Sequence, residues 1–488
     1  MTMAGSKGLA GGQYKPLSDQ DIHKIHDTVL RVFAEVGIEV RSAEARELFT
    51  KAGAHVDEST YLTKIPPDLV QALIKMAPSE VTLCGRDIDG TSDCRIGDTR
   101  VYMGTGGTAL NVQDPGSNDS RKALLEDIKN MARLVDNLDN IHFYMLNVYP
   151  HDISPDNVDV NRFGTALKYT RKHIMGGVYS LDGVRNVIRM AARIAGGMDK
   201  LQERPFISMV TCIVSPLRLD DHYSRLTIEA ARNSIPVVVP AEPLCGATSP
   251  VTLAGNLVVL NVDTLAGMML AQLANPGAPT LYGSVASIAD LRTLKYLSGP
   301  VEMGLLNAAA AQMAQFYRLP YYATAGMSDS KINDSQAGYE SAITNLMVAL
   351  AGGNFIHDAA GFLEFCMTAS YDKLIIDNEI IGMVMRAVDG IRVNDETLAF
   401  DVIKKAGPGG GGHYVSSRHT RTHMRTEQYL CHLSDRSARR EWRTAGALDT
   451  RARAADAAMA ILERGPVTFI PENLETQLKE EIPGLLLP

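Results

Sequence analysis

Eight short apolar runs recur along the chain at intervals of about 30 to 43 residues, and this repeat constrains the fold more than any other feature. The runs begin near Val101, Ile141, His173, Phe206, Ile235, Pro279, Pro320 and Asn354. Most of the gaps between them contain a stretch with apolar residues at helical spacing, such as 121–138, 256–274 and 302–317. A strand followed by a helix, repeated eight times, is typical of parallel βαβ units with right-handed crossovers.

Eight such units predict an α/β fold in which the strands close into a (β/α)8 TIM barrel. An open, doubly wound sheet is the alternative, and it is less favoured because eight equal units close more naturally. We expect the barrel core over 99–370, after an N-terminal helical extension with a little sheet over 1–98. The last part, 371–488, is expected to form helices packed outside the barrel, with a glycine-rich loop at 407–413 that reaches over one end.

The N-terminal extension contains a recognisable helix start. Residues 1 to about 15 are rich in glycine and are expected to form a mobile arm. Ser18 is expected to cap the first helix, with Asp21 in its first turn. The apolar residues Ile22 and Ile25 follow at helical spacing.

Composition and charge narrow the class of protein. The formal net charge is −8 and is spread along the chain, which argues against nucleic acid as the partner. The N-terminus lacks the apolar core of a signal peptide, and no apolar run approaches the roughly 20 residues that cross a bilayer. The six cysteines lie far apart and fit neither a disulfide framework nor a zinc-site spacing. We therefore expect a cytoplasmic protein without a membrane or nucleic-acid partner.

The active site of a (β/α)8 barrel gathers at the carboxyl ends of its strands, so the residues that end the eight runs are the first candidates. They are Tyr102, Thr105, Gly106, Asn147, Tyr149, Tyr179, Ser180, Ser215, Glu242, Tyr282, Ser284, Ser328, Asp329, His357 and Asp358. This set is rich in tyrosine and poor in lysine and arginine. Aromatic faces suit a quaternary ammonium, which has no N–H to donate and binds by cation–π attraction of about 0.5–2 kcal/mol per ring. Alternatively, the tyrosines fill the barrel interior or pack under the helices.

The loop after the seventh run concentrates polar side chains at the expected mouth of the barrel. The segment 326–340, GMSDSKINDSQAGYE, holds Asp329, Asp334, Gln336 and Glu340. Gln336 and Glu340 are four residues apart, so both can face one side of the following helix. Because βα loops carry barrel chemistry, this position favours a functional role over that of an ordinary polar loop.

Two histidines are further candidates. His357 lies in GGNFIHDAAG at the end of the eighth run, where an imidazole can act on a substrate. The glycine-rich GPGGGG at 407–412 leads into His413, but the strand–turn–helix context of a dinucleotide-binding loop is missing, so a flexible lid is favoured. His419 and His423 are four residues apart, yet no further ligand accompanies them, so we predict no metal site.

Several long motifs resemble the trimethylamine methyltransferase family, over about residues 17 to 465. They are TRKHIMGG, PLCGATSPVTLAGNLV, GMSDSKINDSQAGYE, LAGGNFIHDAAG and GPGGGGHYVSSRHTRTHMRTEQY. The resemblance implies a methyl transfer to the cobalt of a corrinoid (cobalamin) carried by a separate small protein, with no metal or tightly bound cofactor in this chain. Members that act on trimethylamine carry a pyrrolysine in the barrel. This chain has an ordinary residue at every position, so the resemblance implies a quaternary amine substrate, such as glycine betaine, proline betaine or carnitine.

The resemblance also suggests roles at the mouth. The ammonium group is expected to be surrounded by Tyr102, Tyr149, Tyr179 and Tyr282. The substrate carboxylate is expected to be held by His357 with Asn354 or His413 and by loop N–H groups. The pocket floor is expected to be shaped, and its charge balanced, by Asp329, Asp334, Gln336 and Glu340.

Other readings of the same pocket stay open. One is direct methyl transfer to tetrahydrofolate without a corrinoid partner, and another is a non-catalytic protein that binds betaine. A zinc-dependent corrinoid methyltransferase is less favoured because no set of cysteine and histidine ligands converges. The sequence does not decide the oligomeric state, and a homo-oligomer stays open because barrels of this kind often associate.

Overall fold

Eight strands of a large sheet run parallel, and each corresponds to one of the eight apolar runs. They are β1 (Arg100–Thr105), β2 (Tyr144–Met145), β3 (Ile174–Gly177), β4 (Ile207–Val210), β5 (Val237–Val238), β6 (Thr280–Gly283), β7 (Tyr321–Thr324) and β8 (Phe355–Ala360). Their order in the sheet is β1-β8-β7-β6-β5-β4-β3-β2. This is a computed structural model, and it describes residues 8–87 and 89–488.

The two end strands of this series, β1 and β2, also bond to each other. The His142 N–H, just before β2, donates to the Met103 carbonyl at 2.8 Å. The Thr105 hydroxyl donates to the Met145 carbonyl at 2.8 Å and accepts from the Met145 N–H at 2.9 Å. The chain therefore has a mixed α/β fold with a large parallel sheet, and all eight strands end on the same side. We call that side the mouth, and the opposite side the amino end.

A long helix follows each parallel strand. These helices are α1 (Leu125–Asn137), α2 (Val158–Tyr169), α3 (Leu181–Ala195), α4 (Asp221–Arg232), α5 (Leu253–Ala274), α6 (Val301–Tyr317), α7 (Ser335–Leu350) and α8 (Tyr371–Asp389). Side chains that accept from the first-turn N–H groups fix several of their starts, as Ser180, Asp220 and Ser370 do for α3, α4 and α8. Helix α8, which begins the expected C-terminal region, packs beside α7.

Helix α8 carries a buried ion pair. The Lys373 ammonium lies 2.6 and 2.7 Å from the two carboxylate oxygens of Asp377, and both side chains are at most 1% exposed. Lys373 also donates to the Ser341 hydroxyl on α7 at 2.6 Å. Asp377 in turn accepts from the Gly361 N–H at 2.8 Å, which ties α8 to the loop after β8.

Helix α5 is apolar on all sides because it is covered on all sides. The N-terminal helices Asp19–Arg31, Ala43–Ala52 and Pro67–Met76 pack on its outer face, and β6 lies under its inner face. By length and composition α5 could cross a membrane, but 78% of its most apolar stretch is buried inside the protein. Its all-round hydrophobicity is therefore that of a core helix.

The N-terminal extension adds small sheets to these helices. Its strands are Ile38–Val40, His55–Asp57, Leu62–Lys64, Val81–Leu83 and Cys94–Ile96. The first helix starts at the expected capping box, in which Ser18 and Asp21 bond reciprocally. The hairpin Val81–Leu83/Cys94–Ile96 packs with Tyr102, Phe143 and Phe355 and covers the amino end of the sheet.

The expected N-terminal arm lies partly outside the described residues, since its first seven residues are not among them. The rest of it is anchored. Leu9–Ala10 forms an antiparallel strand against β1, and the Gly11 N–H donates to the Thr99 carbonyl at 2.8 Å. Leu17 exchanges backbone hydrogen bonds with the side chain of Gln312 on α6.

The C-terminal region beyond α8 is helical in short pieces. Its helices are Asp395–Leu398, Phe400–Ala406, Arg418–His423, Arg439–Thr444, Thr450–Leu462 and Glu472–Glu481. Thr450–Leu462 packs against α8 and α1. The remaining short strands lie in the loops after the parallel strands: Asn111–Gln113, Ser120–Lys122, Arg218–Leu219, Leu244–Cys245, Ser287–Asp290, Lys295–Leu297, Phe362–Leu363 and Thr368–Ser370.

Candidate active site

His357 lies at the centre of the residues that the mouth brings together. Its ring stacks on Tyr322 with centroids 4.0 Å apart and planes at 21°. Nδ1 is 2.7 Å from the Ala323 carbonyl oxygen, and Nε2 is 2.9 Å from a carboxylate oxygen of Asp358. The side chain is nearly fully buried. Oxygen atoms on both sides therefore fix the orientation of the imidazole.

Asp358 occupies a strained position that the glycines of β1 make possible. Its φ of 59° is in the left-handed region, which is uncommon for a residue other than glycine. Its carboxylate accepts from the Gly107 N–H at 3.1 Å. A Cβ at Gly106 would lie 1.6 Å from Oδ1 of Asp358, so only glycine fits there. The loop after β1 is thus shaped around this carboxylate.

Glu242 lies in the loop after β5 and faces the same region. The residue is solvent-exposed, yet burial among surrounding atoms, together with the charge of Asp358, raises the pKa of its carboxyl to about 7. The charge of His357 opposes this rise. Glu242 therefore lies on a surface that solvent reaches and that neighbouring atoms partly desolvate. Among the described residues it has no hydrogen-bond partner.

Two side chains from loops complete this surface. Burial raises the pKa of Tyr296 well above its usual value, and the charges of Glu242, Cys366 and Asp358 act in the same direction. Burial likewise raises the pKa of the Cys366 thiol, again with Asp358 and Glu242 as neighbours. Tyr296 and Cys366 therefore belong to the group around His357. No sequence pattern pointed to them, because they lie in short hairpins inserted after β6 and β8.

The loop after β7 forms a connected polar network. Oε2 of Glu340 accepts from the Ser328 hydroxyl at 2.6 Å and from the Asp329 N–H at 3.0 Å. Gln336 donates to Oε1 of Glu340 at 2.9 Å, so these two side chains do face each other. Asp329 accepts from the N–H and hydroxyl of Ser298 at 2.7 and 2.8 Å. Burial raises its pKa, and the bonds from Ser298 oppose the rise.

Asp334 has a structural position at the edge of this loop. Its carboxylate accepts from the Ala337 N–H at 3.1 Å and caps the start of α7. It also accepts from the Ser330 hydroxyl at 3.0 Å. The side chain is thus committed to the helix start and does not reach the pocket floor that the sequence predicts for it.

Two of the four predicted tyrosines meet at the mouth. Tyr149 and Tyr179 follow β2 and β3, and their ring centroids are 5.6 Å apart in an edge-to-face arrangement. Tyr179 is 37% exposed, so its ring is accessible from the mouth. The backbone N–H of Tyr179 donates to the carboxylate of Asp159, which fixes its position.

The other two tyrosines lie elsewhere. Tyr282 faces outward from β6, where its hydroxyl donates to Oδ1 of Asn261 on α5 at 2.9 Å. Its neighbour Leu281 faces inward, as the alternation of side chains in a strand requires. Tyr102 lies near the start of β1, where its N–H donates to the Asn354 carbonyl. Both rings are fully buried and neither lines the mouth.

Asn354 lies at the opposite end from the mouth, and His413 lies in the C-terminal segment. Asn354 precedes β8, and its amide donates to the carbonyls of Asp98 and Arg100 at the amino end. His413 is exposed in the C-terminal segment, which is anchored where the Asn140 amide, just before β2, donates to the Tyr429 hydroxyl. Of Asn354 and His357, His357 is therefore the one that lies at the mouth.

Metal-binding groups are not assembled within residues 8–87 and 89–488, where no cluster of three or more His, Cys, Asp or Glu side chains could hold an ion. The rings of His419 and His423 do approach each other, with centroids 4.4 Å apart. His423 lies 3.3 Å from Glu396, and all three belong to the exposed C-terminal segment. His419 and His423 are therefore a pair that belongs to the C-terminal segment and not to the group around His357.

Known proteins match this chain over nearly its whole length. Residues 7–483 match the family described as trimethylamine methyltransferase (MTTB). A trimethylamine methyltransferase of Desulfitobacterium hafniense is 40% identical, with 98% of this chain and 95% of that protein covered. A glycine betaine methyltransferase of the same species is 33% identical, with 97% of each chain covered. The crystal structure of a Methanosarcina barkeri monomethylamine methyltransferase matches with a TM-score of 0.48 and 14% identity, over 94% of this chain and 96% of that one. The chain therefore belongs to the trimethylamine methyltransferase family and is a methyltransferase.

Proposed function

We propose that this enzyme moves a methyl group from a quaternary amine, such as glycine betaine, to the cobalt of a corrinoid carried by a partner protein. The observation that carries the proposal is the group of carboxylates and aromatic rings gathered at one mouth of a chain from a methyltransferase family. We further propose that the eight parallel strands form a closed (β/α)8 barrel. The bonds between β1 and β2 support this closure.

The proposed substrate suits the chemistry of the mouth. The rings of Tyr149 and Tyr179 offer aromatic faces, and each such face attracts an ammonium group by about 0.5–2 kcal/mol. Glu242 supplies a carboxylate without a partner among the described residues. A quaternary nitrogen needs both kinds of group, because it cannot donate a hydrogen bond.

The rim of the mouth fits a docked partner that presents a large flat cofactor. The loops after β5, β6 and β8 expose the apolar side chains of Val251, Leu291, Leu294 and Met367. Exposed apolar patches of this kind mark interaction sites. When bound, the reduced cobalt of a corrinoid supplies the nucleophile that accepts the methyl group.

The residues of this chain would act by alignment more than by proton transfer. Loss of a methyl group from a quaternary nitrogen leaves a neutral tertiary amine, which needs no acid to depart. The enzyme must instead hold the nitrogen and the methyl group in line with the acceptor, and such orientation supplies several kcal/mol of the barrier reduction. His357, held by Ala323 and Asp358, would form a fixed wall against which the amine is oriented.

The location and partners follow from the same proposal. We place the reaction in the cytoplasm, where a small corrinoid protein and a small amine would meet this enzyme. All six cysteines are free, which suits a reducing compartment.

The test is to mix the purified protein with reduced cobalamin and a panel of quaternary amines. We expect loss of the cobalt(I) absorbance together with release of the demethylated amine for at least one compound. His357→Ala should lower kcat at least about tenfold, since the amine loses its fixed wall. An exposed control, Glu463→Gln, should leave the rate unchanged.

Two outcomes would reject the proposal. Demethylation with tetrahydrofolate alone, and not with cobalamin, would assign direct transfer to folate. Saturable binding of an amine by calorimetry, with no demethylated product from any cobalt(I) donor, would assign a binding protein.

A further inference from the structure

We infer that the site prefers a cationic amine without a carboxylate, such as choline or tetramethylammonium, over zwitterionic betaines. This inference rests on the proposed function and narrows its substrate. It follows because the mouth has carboxylates with spare acceptor capacity, whereas its cationic donors are already bonded to other groups.

The acceptors at the mouth exceed what the protein itself uses. Glu242 has an exposed carboxylate with no hydrogen-bond partner among the described residues. Asp358 lies nearby and receives one N–H from Gly107 and one contact from His357. Negative groups with spare acceptor capacity favour a cation at this position.

Two cationic side chains at the mouth, Arg162 and Lys331, are already engaged in hydrogen bonds. Arg162 lies among the ends of β1, β2 and β3, and its guanidinium makes five hydrogen bonds at 2.9–3.4 Å. They go to three carbonyl oxygens and to the hydroxyls of Thr108 and Tyr179, and they use all five N–H donors. Lys331 at the rim donates to the Asp329 carbonyl and lies 4.5 Å above the ring of Phe365.

A betaine carboxylate would therefore find both of these cationic side chains already engaged with other groups. It would also face carboxylates of its own sign, and like charges placed together in a partly desolvated site repel each other. A hydroxyl or methyl group in its place avoids both costs. A site that offers no partner to a charged group discriminates strongly against it, because the group loses its hydration without compensation.

The experiment compares tetramethylammonium, choline, glycine betaine and carnitine as methyl donors to reduced cobalamin, with the full chain. We expect KM for glycine betaine to exceed that for choline by about 10- to 100-fold, the ratio that one uncompensated charged hydrogen bond produces. Glu242→Gln should raise KM for choline by a similar factor and should narrow its advantage over glycine betaine. Glu463→Gln removes an exposed carboxylate elsewhere and should change neither value.

The outcomes separate this inference from the proposed function. If glycine betaine has the lower KM, the inference is wrong while the methyl transfer stands, and loss of its use in Lys331→Met would assign Lys331 as the donor. If no quaternary amine donates a methyl group, the proposed function itself fails.

A second inference rests on a different surface, the apolar side chains of residues 391–424. Ile391 is 87% exposed, Val415 is 81% exposed and Phe400 is 71% exposed. The three helices of this stretch, Asp395–Leu398, Phe400–Ala406 and Arg418–His423, contain no buried residue. A helix that buries nothing in its own chain gains little stability from packing, so a partner must cover it.

We propose that a second copy of this chain covers this segment. The segment leaves α8 at the amino end, where Arg386 donates to the Glu427 carbonyl, so it lies away from the mouth at which a corrinoid protein must arrive. Residues 391–424 contain five lysines and arginines against three aspartates and glutamates, and residues 425–453 add seven against four, whereas the whole chain has a net charge of −8. A basic, apolar segment and an acidic body on identical chains are complementary to each other.

Sedimentation of the full chain at micromolar concentration tests this second inference. We expect a dimer or larger assembly, and a monomer that retains methyl transfer for the triple variant Ile391→Ser/Phe400→Ser/Val415→Ser. Val467→Ser, at another exposed apolar position, should leave the assembly intact. A wild-type monomer, or a monomer that sediments with anionic vesicles, would overturn the inference.

Discussion

Replacing Lys373 by methionine should destabilise this protein far more than its single lost charge suggests. Methionine has a similar length and fills the same space, but it leaves the carboxylate of Asp377 buried without its cation. That carboxylate is 0% exposed and keeps only neutral donors, the N–H of Gly361 and the hydroxyl of Ser341. Removing one partner of a buried ion pair costs about 3–5 kcal/mol.

The expected shift in Tm follows from the size of the chain. Unfolding entropy is about 2.1 cal/mol/K per residue, so 488 residues give about 1 kcal/mol per degree. The variant should therefore unfold about 3–5 °C below the wild type. Lys51→Met is the matched control, because Lys51 and Glu47 have the same i,i+4 spacing but are 69% and 63% exposed. Breaking that pair should cost about 0.3–0.5 kcal/mol, or less than one degree.

Differential scanning calorimetry of the two variants and of the double variant Lys373→Met/Asp377→Leu measures these shifts. The double variant should recover most of the loss, because replacing a buried pair by apolar groups is often neutral or stabilising. Equal Tm values for Lys373→Met and Lys51→Met would refute the reasoning. So would a double variant as unstable as the single one.

Three further predictions concern the mouth and the residues excluded from it. Burial and the charge of Asp358 raise the pKa of Glu242 from 4.5 to about 7, so its carboxyl is neutral below pH 7 and anionic above it. KM for a cationic amine should therefore fall about tenfold between pH 6 and pH 8. Glu242→Gln should remove this pH dependence. Gly106→Ala would place a Cβ 1.6 Å from Oδ1 of Asp358, so kcat/KM should drop at least about 100-fold while circular dichroism still reports a folded chain. Tyr282→Phe should lower Tm by about 1–3 °C, since Asn261 loses a buried donor, and it should leave KM unchanged. A raised KM with an unchanged Tm would show instead that Tyr282 contacts the substrate.

The eight parallel strands could be predicted from the sequence because they are covered on both faces. A parallel strand covered on both faces leaves a nearly continuous apolar run, and each of the eight runs contains one strand, even where it has only two residues, as at Val237–Val238. The start at Ser18 was predictable too, because a capping box is a local chemical signal. Such features depend on neighbours in sequence, which the sequence displays directly.

The residues of the site were harder to predict, because each depends on the direction of its side chain as well as on its position along a strand. Tyr282 ends an apolar run as expected, but a shift of one residue in a strand turns a side chain from the pocket to the helices. Asn354 directly precedes β8, as its position in the eighth run suggests, but it lies at the amino end and not at the mouth. Tyr296 lies in a hairpin after β6, and the charge of Glu242 acts on its pKa although no sequence periodicity relates the two residues.

The hairpin Ser287–Asp290/Lys295–Leu297 has a consequence for how this enzyme family can diversify. It brings Tyr296 to the wall of the mouth, yet it is an addition between β6 and α6 and forms no part of the parallel sheet. Its length and sequence can therefore vary while the strands and helices keep their packing. Replacing this hairpin by that of a relative with a different amine preference would therefore change which amines the enzyme uses. The parallel strands and their helices would keep their positions.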